Sequence, residues 1–383
     1  MNARARELAL KLRHSLRWLP SYFSQRLTRP APPRSAHLIV ALADHFEPSI
    51  VPNEQGSFAH PNEQRARVER WCREYPKAVA HWRDSDGRPF RHTYFFPAEQ
   101  YDKELLDRLA DHCHQGWGEV EIHLHHGVDA PDTREATRAV LTEFRDRLAA
   151  HGCLSLWDGR GVPRYAFVHG NWALANSAGG RCCGVDDEML LLSETGCYGD
   201  FTLPSAPAVA QTAKINALYE CGLPLNIRAP HRRGTALQVG RSPRVLPLIM
   251  QGPLGINLSR RLGRWPAPCI ENSALTAVNP PSLNRLALWR RAAICVQGRP
   301  EWIFIKLHCH GMDPRDEPAM FGPPLQRFLK DITERTRRDG DAVHFVTARE
   351  MVNIALAACA GRSGNPGDYR DYRLRPITPA RAA

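Results

Sequence analysis

Residues 37–48 read HLIVALADHFEP, an apolar run that stops at the polar pair Asp44-His45. A short, continuous apolar run is typical of a strand that is buried on both faces of a parallel sheet. The segment RPAPPRSA just before it, residues 29–36, is rich in proline and indicates a linker. We therefore expect an α/β domain that begins near residue 36 and whose first strand ends in polar side chains.

Further apolar stretches alternate with helical patterns along the rest of the chain. They predict strands within the segments 91–97, 118–126, 164–173, 194–205 and 301–311. One of the helical patterns begins at Asp132, a predicted N-cap with Glu135 three residues later. Alternating strands and helices predict a parallel sheet or barrel, and we find no internal repeat and no second domain.

The composition excludes several classes of protein. Hydrophobic residues make up 43% of the chain and charged residues 24%, so disorder is not its main state. No apolar run approaches the roughly 18–20 residues of a membrane-spanning helix. The net charge is +11, but residues 1–35 carry +7 of it. The body of the protein therefore gives no reason to expect a nucleic-acid partner.

The N-terminal segment is basic and contains apolar residues at partly helical spacing, without a recognisable cleavage site. Two interpretations remain open: residues 1–28 form a helix that lies on an anionic membrane, or a helix that is solvated or packs on the core. The eleven cysteines show no C-x-x-C spacing, which favours free thiols in a reducing compartment. We expect a cytoplasmic protein, peripheral at the inner face of the membrane under the first interpretation.

Five of the predicted strands share a feature at their carboxyl ends, where they reach histidine, aspartate or asparagine. These polar residues are Asp44, His45, His123, His125, His126, His169, Asn171, Asp200, His308 and His310. In parallel α/β folds, ligands and catalytic groups collect at that edge. The pairs His123/His125 and His308/His310 place both imidazoles on one side of a strand, as metal ligands often are. A packed structural histidine is the alternative at any single position.

In this order, the segments resemble the polysaccharide deacetylases, the NodB-homology domain of carbohydrate esterase family 4 in the glycoside hydrolase/deacetylase superfamily. ALADHFEP (41–48) stands at the family's Asp-Asp motif, and HTYFFP (92–97) resembles its Thr-Phe-Phe strand. EVEIHLHHGVD (119–129) resembles its third-strand motif. FIKLHCHG (304–311) resembles the late strand that ends in its catalytic histidine.

The resemblance implies a deformed parallel (β/α)7 barrel in a single domain over residues 36–360. Residues 1–35 would then form a basic helix with its Pro-rich linker, and residues 361–383 a C-terminal tail. The implied activity is a metal-dependent hydrolysis that removes an acyl group, chiefly N-acetyl, from a carbohydrate. Because no export signal is recognisable, we expect a lipid-linked or nucleotide-linked sugar precursor as substrate.

The resemblance also implies roles for individual residues. Asp44 stands at the position of the family's catalytic base, while His45, His125 and Asp129 would hold a divalent ion, with zinc expected. The ligand set would still consist of two imidazoles and one carboxylate. His45 stands where the family has an aspartate, and Asp129 stands where it has a histidine.

Alternatives remain within this site. His123 or His126 could replace Asp129, either as a ligand or as a group that supports one. His308 matches the family's general acid with His310 supporting it, and the roles of these two could be exchanged.

Four residues after predicted strands are expected to bind substrate: His169, Asn171, Trp172 and Asp200. Trp172 would be a platform on which a sugar ring stacks.

Two other functions fit the same motifs. One is a metal hydrolase of the same barrel that cleaves a glycosidic or a non-sugar amide bond. The other is a carbohydrate-binding or scaffold protein without catalysis, which the altered Asp-Asp motif favours.

Overall fold

The computed structural model describes residues 13–52, 57–259, 261–262 and 264–380. The helices are α1 Leu19–Thr28, α2 Pro61–Val79, α3 Lys103–His112, α4 Arg134–Ala150, α5 Glu188–Thr195, α6 Leu283–Arg291, α7 Glu317–Phe321, α8 Pro323–Asp339 and α9 Ala348–Cys359. The strands are β1 His37–His45, β2 His92–Pro97, β3 Gly118–Leu124, β4 Ser155–Trp157, β5 Arg160–His169, β6 Cys197–Asp200, β7 Leu218–Cys221, β8 Gly234–Ala236, β9 Leu248–Met250, β10 Gly255–Asn257, β11 Arg261–Leu262, β12 Trp265–Pro266, β13 Cys269–Glu271, β14 Trp302–Cys309, β15 Ala342–Val346 and β16 Leu374–Pro376. The start of the predicted basic helix, residues 1–12, and the end of the predicted tail, residues 381–383, lie outside the described residues.

Twelve strands of the described chain form one mixed sheet. Its main path is β14-β1-β2-β3-β5-β6-β9-β7-β8, and β15, β4 and β16 join beside this path. The ladders from β14 through β9 are all parallel, and so is that between β1 and β15. The strands β4, β7, β8 and β16 pair antiparallel. The predicted α/β class with a mostly parallel sheet is therefore confirmed.

A closed (β/α)7 barrel is not found, because no ladder among the described residues joins β14 to β9. Between β9 and β14, residues without regular secondary structure lie against β14 near the carboxyl edge of the sheet. The backbone N–H of His308 donates to the carbonyl oxygen of Ser273 at 3.1 Å, and that of Leu275 donates to His308 at 2.8 Å. A Cβ on Gly252 would lie 2.2 Å from the carbonyl oxygen of Lys306. The connecting segment is rich in proline and glycine, which form regular strands poorly.

The sheet has two faces that are packed differently. On the inner face, Ile39, Ala166 and Val168 pack against α9, a helix whose residues are all buried. On the outer face, Leu42 and Ile122 belong to a core that includes residues of helices α2 to α6 and α8. Because side chains alternate along a strand, the polar residues at the carboxyl ends of β1 and β3 point to both faces.

The described part of the N-terminal segment packs on the domain. Trp18 is buried with Ala206, Ile215 and Leu254, and the Arg29 guanidinium donates to two backbone carbonyl oxygens of the core. Leu16, Phe23 and Leu27 are exposed. The predicted contact of residues 1–28 with an anionic membrane stays a prediction. None of the described helices combines the length and the apolar character that crossing a bilayer requires.

Most of the predicted C-terminal tail is also packed. Strand β16 pairs with β4, and Arg370 is buried. Its guanidinium donates to Asp84 at 2.9 Å, to Asp86 at 2.8 Å and to the carbonyl oxygen of Phe345 at 2.6 Å. These contacts tie residues after 360 to the amino-terminal edge of the sheet, opposite to the polar strand ends.

Candidate functional site: two clusters of metal-ligating side chains

Strand alternation divides the histidine-rich end of β3 between the two faces. Leu124 packs in the outer core, so His123 and His125 reach the inner face and His126 reaches the outer one. Two separate groups of metal-ligating side chains result. The central cluster consists of His45, Glu47, His123, His125 and His310. The peripheral cluster consists of His126, His169, Cys183 and Glu188.

The central cluster lies at the carboxyl edge of the inner face, with Glu47 in the middle. The ligand atoms of Glu47, His123 and His125 lie within 4.8 Å of one another, and so do those of His45, Glu47 and His310. The Glu47 Oε1 atom is 3.1 Å from Nε2 of His123 and 3.6 Å from Nε2 of His125. The ring of His45 is 4.9 Å from that of His123 and 4.7 Å from that of His310, between centroids.

Hydrogen bonds on the far side of two rings decide what the ring nitrogens can do. Nδ1 of His123 is 2.9 Å from the carbonyl oxygen of Val168, and Nδ1 of His125 is 2.7 Å from a carboxylate oxygen of Glu99. Both partners only accept, so both Nδ1 atoms carry a proton. A ring without a second proton then presents the lone pair of its Nε2 atom to the Glu47 carboxylate, so that two acceptors face each other. An extra proton or a cation resolves this conflict, and the nitrogen and oxygen donors fit a divalent ion such as zinc.

Burial sets the charge of two members of the central cluster. Burial and the charges of His310 and His123 hold the pKa of His45 well below its ordinary value, so this ring is neutral. Burial raises the pKa of Glu47, but the hydrogen bond with His123 and the neighbouring imidazoles outweigh it and lower the pKa to about 2. The cluster thus combines a carboxylate with neutral imidazole.

Three more buried polar residues share the inner face: Asp200, Lys306 and His308. Within the described residues, Nζ of Lys306 and Nδ1 of His308 have no hydrogen-bond partner. Burial lowers the pKa of Lys306 to about 7 and raises that of Asp200 to about 7, although the Thr202 hydroxyl donates to Asp200 at 2.7 Å. Burial, together with the charge of Lys306, holds the pKa of His308 well below its ordinary value. Its neutral ring is 6.1 Å from that of His45.

Asp44, the predicted base, lies on the outer face because it alternates with His45. It is fully buried there, with Oδ2 3.0 Å from Nδ1 of His92, and it accepts from the backbone N–H of Gly311 at 2.7 Å. A Cβ on Gly311 would lie 2.3 Å from Asp44 Oδ2, so this close approach requires glycine. The hydrogen bond from Gly311 to Asp44 connects the turn after β14 with β1. Asp44 is not among the side chains of the central cluster.

Asp129 and the predicted substrate-binding residues lie in different places. Asp129 is exposed and belongs to none of the metal-ligating groups among the described residues, whereas Glu47 supplies the carboxylate of the central cluster. The Trp172 ring is 6.4 Å from an imidazole of the central cluster, and Asn171 beside it is exposed.

The peripheral cluster is formed by the ends of β3 and β5, the loop that follows and the first turn of α5. Nε2 of His126 is 3.0 Å from Nε2 of His169 and 2.9 Å from Oε1 of Glu188. Sγ of Cys183 is 3.8 Å from Oε2 of Glu188, and all four residues are buried. His169, predicted to bind substrate, therefore lies on the other side of the sheet from the central cluster.

Four residues of the two clusters and their surroundings were not predicted from the sequence as site residues: Glu47, Lys306, Cys183 and Glu188. Two of them carry a signal: Glu47 comes two residues after His45, the repeat of an extended strand, and Lys306 is a lone charge in an apolar run. Cys183 and Glu188 carry no local signal, because only the fold brings them to the histidines.

No family model matches this chain, and no curated protein matches it. A solved chain from Mycobacterium smegmatis, described provisionally as a polysaccharide deacetylase, aligns with 88% of this chain and 98% of its own length. The two are 13% identical, with a TM-score of 0.42. The functional proposal for this chain therefore rests on its own sequence and side chains.

Proposed function

We propose that this chain is a metal-dependent hydrolase that removes an acyl group, chiefly N-acetyl, from a carbohydrate. The observation that carries the proposal is the convergence of Glu47 with four histidines at the carboxyl edge of a mostly parallel sheet. The carbohydrate substrate is inferred from the sequence resemblance in residues 92–97, 119–129 and 304–311. Lipid-linked and nucleotide-linked sugar precursors are the forms that we expect.

The ion is held in the central cluster, and zinc is the metal that we favour. Glu47, His123 and His125 form its firmest part, because Val168 and Glu99 fix the two rings from behind. His45 and His310 lie next to them as further candidate donors, and not all five side chains bind the ion at once. Catalytic zinc sites keep a position open for substrate, which suits a cluster in which His125 and His310 are partly exposed. When bound, such an ion supplies Lewis-acid catalysis at the acyl carbonyl.

His308 is the group that we assign to proton transfer. Its buried Nδ1 atom has no partner within the described residues, and its ring faces the inner side of the sheet near His45. A neutral imidazole can accept the proton of an attacking water and return it to the leaving amine or alkoxide. Asp44 becomes a positioning residue, which holds Gly311 and the turn that carries His310.

Lys306 and Asp200 are the ionisable residues that lie beside His308 on the inner face. Lys306 is two residues before His308 on the same face of β14, and its buried ammonium can stabilise negative charge that develops on the carbonyl oxygen. Trp172 offers a ring face at the border of the central cluster, where a sugar ring can stack.

The test measures acetate release and metal content with the full-length protein. The substrates are N-acetylated and O-acetylated sugar oligomers and a nucleotide-linked N-acetyl sugar. Glu47→Gln removes the shared carboxylate at nearly constant volume. We expect it to lose the central ion and to lower the rate by about 100-fold or more. The matched control is Asp129→Asn, which changes an exposed carboxylate and should leave both quantities unchanged.

Two results would contradict the proposal. Loss of metal and rate in Asp129→Asn, but not in Glu47→Gln, would move the ion away from the central cluster. A wild-type protein that holds its ion but releases acetate from none of the sugars would favour the non-catalytic function, or a non-sugar amide if a panel of such amides is cleaved.

A further inference from the structure

The peripheral cluster has the composition of a metal site of its own. It joins His126 after β3, His169 at the end of β5, Cys183 in the next loop and Glu188 in the first turn of α5. We propose that these four side chains bind one zinc ion in a closed structural site. This site is independent of the proposed hydrolytic centre.

Hydrogen bonds fix the protons of both imidazoles. Nδ1 of His126 is 3.0 Å from a carboxylate oxygen of Asp132, and Nδ1 of His169 contacts the carbonyl oxygen of Gly170. Both partners accept, so both Nδ1 atoms carry a proton and both Nε2 atoms have a lone pair. These lone pairs nevertheless face each other at 3.0 Å, and that of His126 faces Glu188 at 2.9 Å. This conflict exists for uncharged rings, and a positive charge resolves it: either a second proton on His126 or a metal ion that the four donors surround.

The separations match a tetrahedral zinc site. Zinc–nitrogen bonds of about 2.0–2.1 Å place neighbouring ligand atoms roughly 3.3 Å apart. Glu188 Oε1 is 2.9 Å from the His126 nitrogen and 3.5 Å from the His169 nitrogen, and Glu188 Oε2 is 3.8 Å from the Cys183 sulfur. A thiolate and a carboxylate neutralise a divalent charge, as a fully buried site requires. The sulfur ligand favours zinc over magnesium or calcium.

Burial distinguishes this site from the central cluster. All four donors are buried, and four protein ligands fill a tetrahedral site without leaving a position for water or substrate. The peripheral site therefore supports structure and does no chemistry.

The segment that this zinc ion would hold is strained. Between Asn171 and Cys182, several non-glycine residues have positive φ, among them Trp172 at 56°, Ala175 at 47° and Cys182 at 58°. Such backbone persists only where its surroundings enforce it. The backbone N–H of Ala175 donates to Glu188 at 2.5 Å, so one ligand holds the middle of the loop directly. Trp172 borders the central cluster, and the zinc ion would thereby fix one wall of the proposed active site.

Cobalt(II) is the probe that tests this proposal. The full-length protein is depleted of metal and reloaded with cobalt, because a bound thiolate produces a charge-transfer absorption in the near ultraviolet. The central cluster has only nitrogen and oxygen donors and cannot produce this band. We expect the band in the wild type and in Cys182→Ala, and its loss in Cys183→Ala. Cys182 is a matched control, since it is adjacent in sequence but outside the cluster.

A cobalt-loaded wild type without the band, or a band that survives in Cys183→Ala, would overturn the proposal. If Cys183→Ala does not fold, zinc-edge X-ray absorption of the unmodified protein gives an equivalent test. A sulfur neighbour at about 2.3 Å from zinc supports the site, and a shell of nitrogen and oxygen alone overturns it. Neither measurement depends on the hydrolytic activity.

Discussion

The central and peripheral clusters contain adjacent residues, His125 and His126, and yet differ in donor type and in burial. The central cluster has nitrogen and oxygen donors, and three of its five residues are partly exposed. The peripheral cluster contains a thiol and is buried throughout. A site that keeps an open position can act on a substrate, whereas a site closed by four protein ligands stabilises the fold.

The two clusters also show how the end of one strand can contribute to an open metal site and to a closed one. A change of one residue along β3 moves an imidazole from the inner face to the outer face. Both rings are oriented by a carboxylate, Glu99 for His125 and Asp132 for His126. The surroundings of each ring, and not the ring itself, therefore determine its function.

The largest effect is expected from His308, which lies on the inner face of the sheet beside the central cluster. His308→Ala should lower the rate of acyl hydrolysis by about 10²–10⁴-fold, the usual value of a general base, while metal content stays constant. The measurement combines steady-state rates with metal analysis. Asp44→Asn, on the outer face, should lower the rate far less. If Asp44→Asn loses as much activity as His308→Ala with its metal retained, Asp44 is the base after all.

The adjacent histidines provide the sharpest test of the difference between the clusters. His125→Ala should reduce activity and central metal binding with little effect on thermal stability. His126→Ala should instead destabilise the fold by about 3–5 kcal/mol, because it leaves buried charge without a partner. Thermal unfolding and cobalt spectra of the two variants check this. If both variants lose stability equally, the clusters are not functionally separate.

The buried cation Lys306, beside the central cluster, makes the stability of the fold depend on pH. Burial lowers the pKa of Lys306 from 10.5 to about 7, so its ammonium destabilises the fold wherever it is charged. This cost is complete below about pH 7 and disappears as the pH rises to the unfolded value of about 10.5. Lys306→Met should therefore be more stable than the wild type at about pH 6, by a few kcal/mol, and the difference should vanish near pH 10.

Denaturant unfolding at several pH values measures this difference, with the exposed Lys330→Met as control. A Lys306→Met variant whose stability follows the wild type at every pH would show that the ammonium is solvated or paired.

The smallest effects are expected from the carboxylates behind the adjacent rings. Glu99→Gln should weaken metal binding at the central cluster, and Asp132→Asn at the peripheral cluster, each by about 10–100-fold. Competition with a chelator measures both affinities, and the thiolate band of cobalt distinguishes the sites. Crossed effects, in which Glu99→Gln alters the thiolate band, would mean that the two clusters are coupled.

Several features of the fold could be predicted because their signals are local. The apolar run of residues 38–43 is confirmed as part of β1, and the alternation of strands and helices is confirmed as an α/β fold. Local signals were less accurate at boundaries. Thr133, and not Asp132, caps α4, since its side chain accepts from Ala136 at 3.2 Å. Asp132 is thereby available to orient His126.

By itself the sequence determined where most of the central parallel strands lie, and therefore that polar side chains gather at one edge of a sheet. Hydrophobic periodicity and strand alternation are properties of neighbouring residues and can be read without the fold. Only the tertiary structure decided which donors meet. Glu47 reaches His123 and Cys183 reaches His126 across segments that are distant in sequence, and no ladder of the described residues joins β14 to β9. These contacts depend on packing between segments, which no single stretch of the chain encodes.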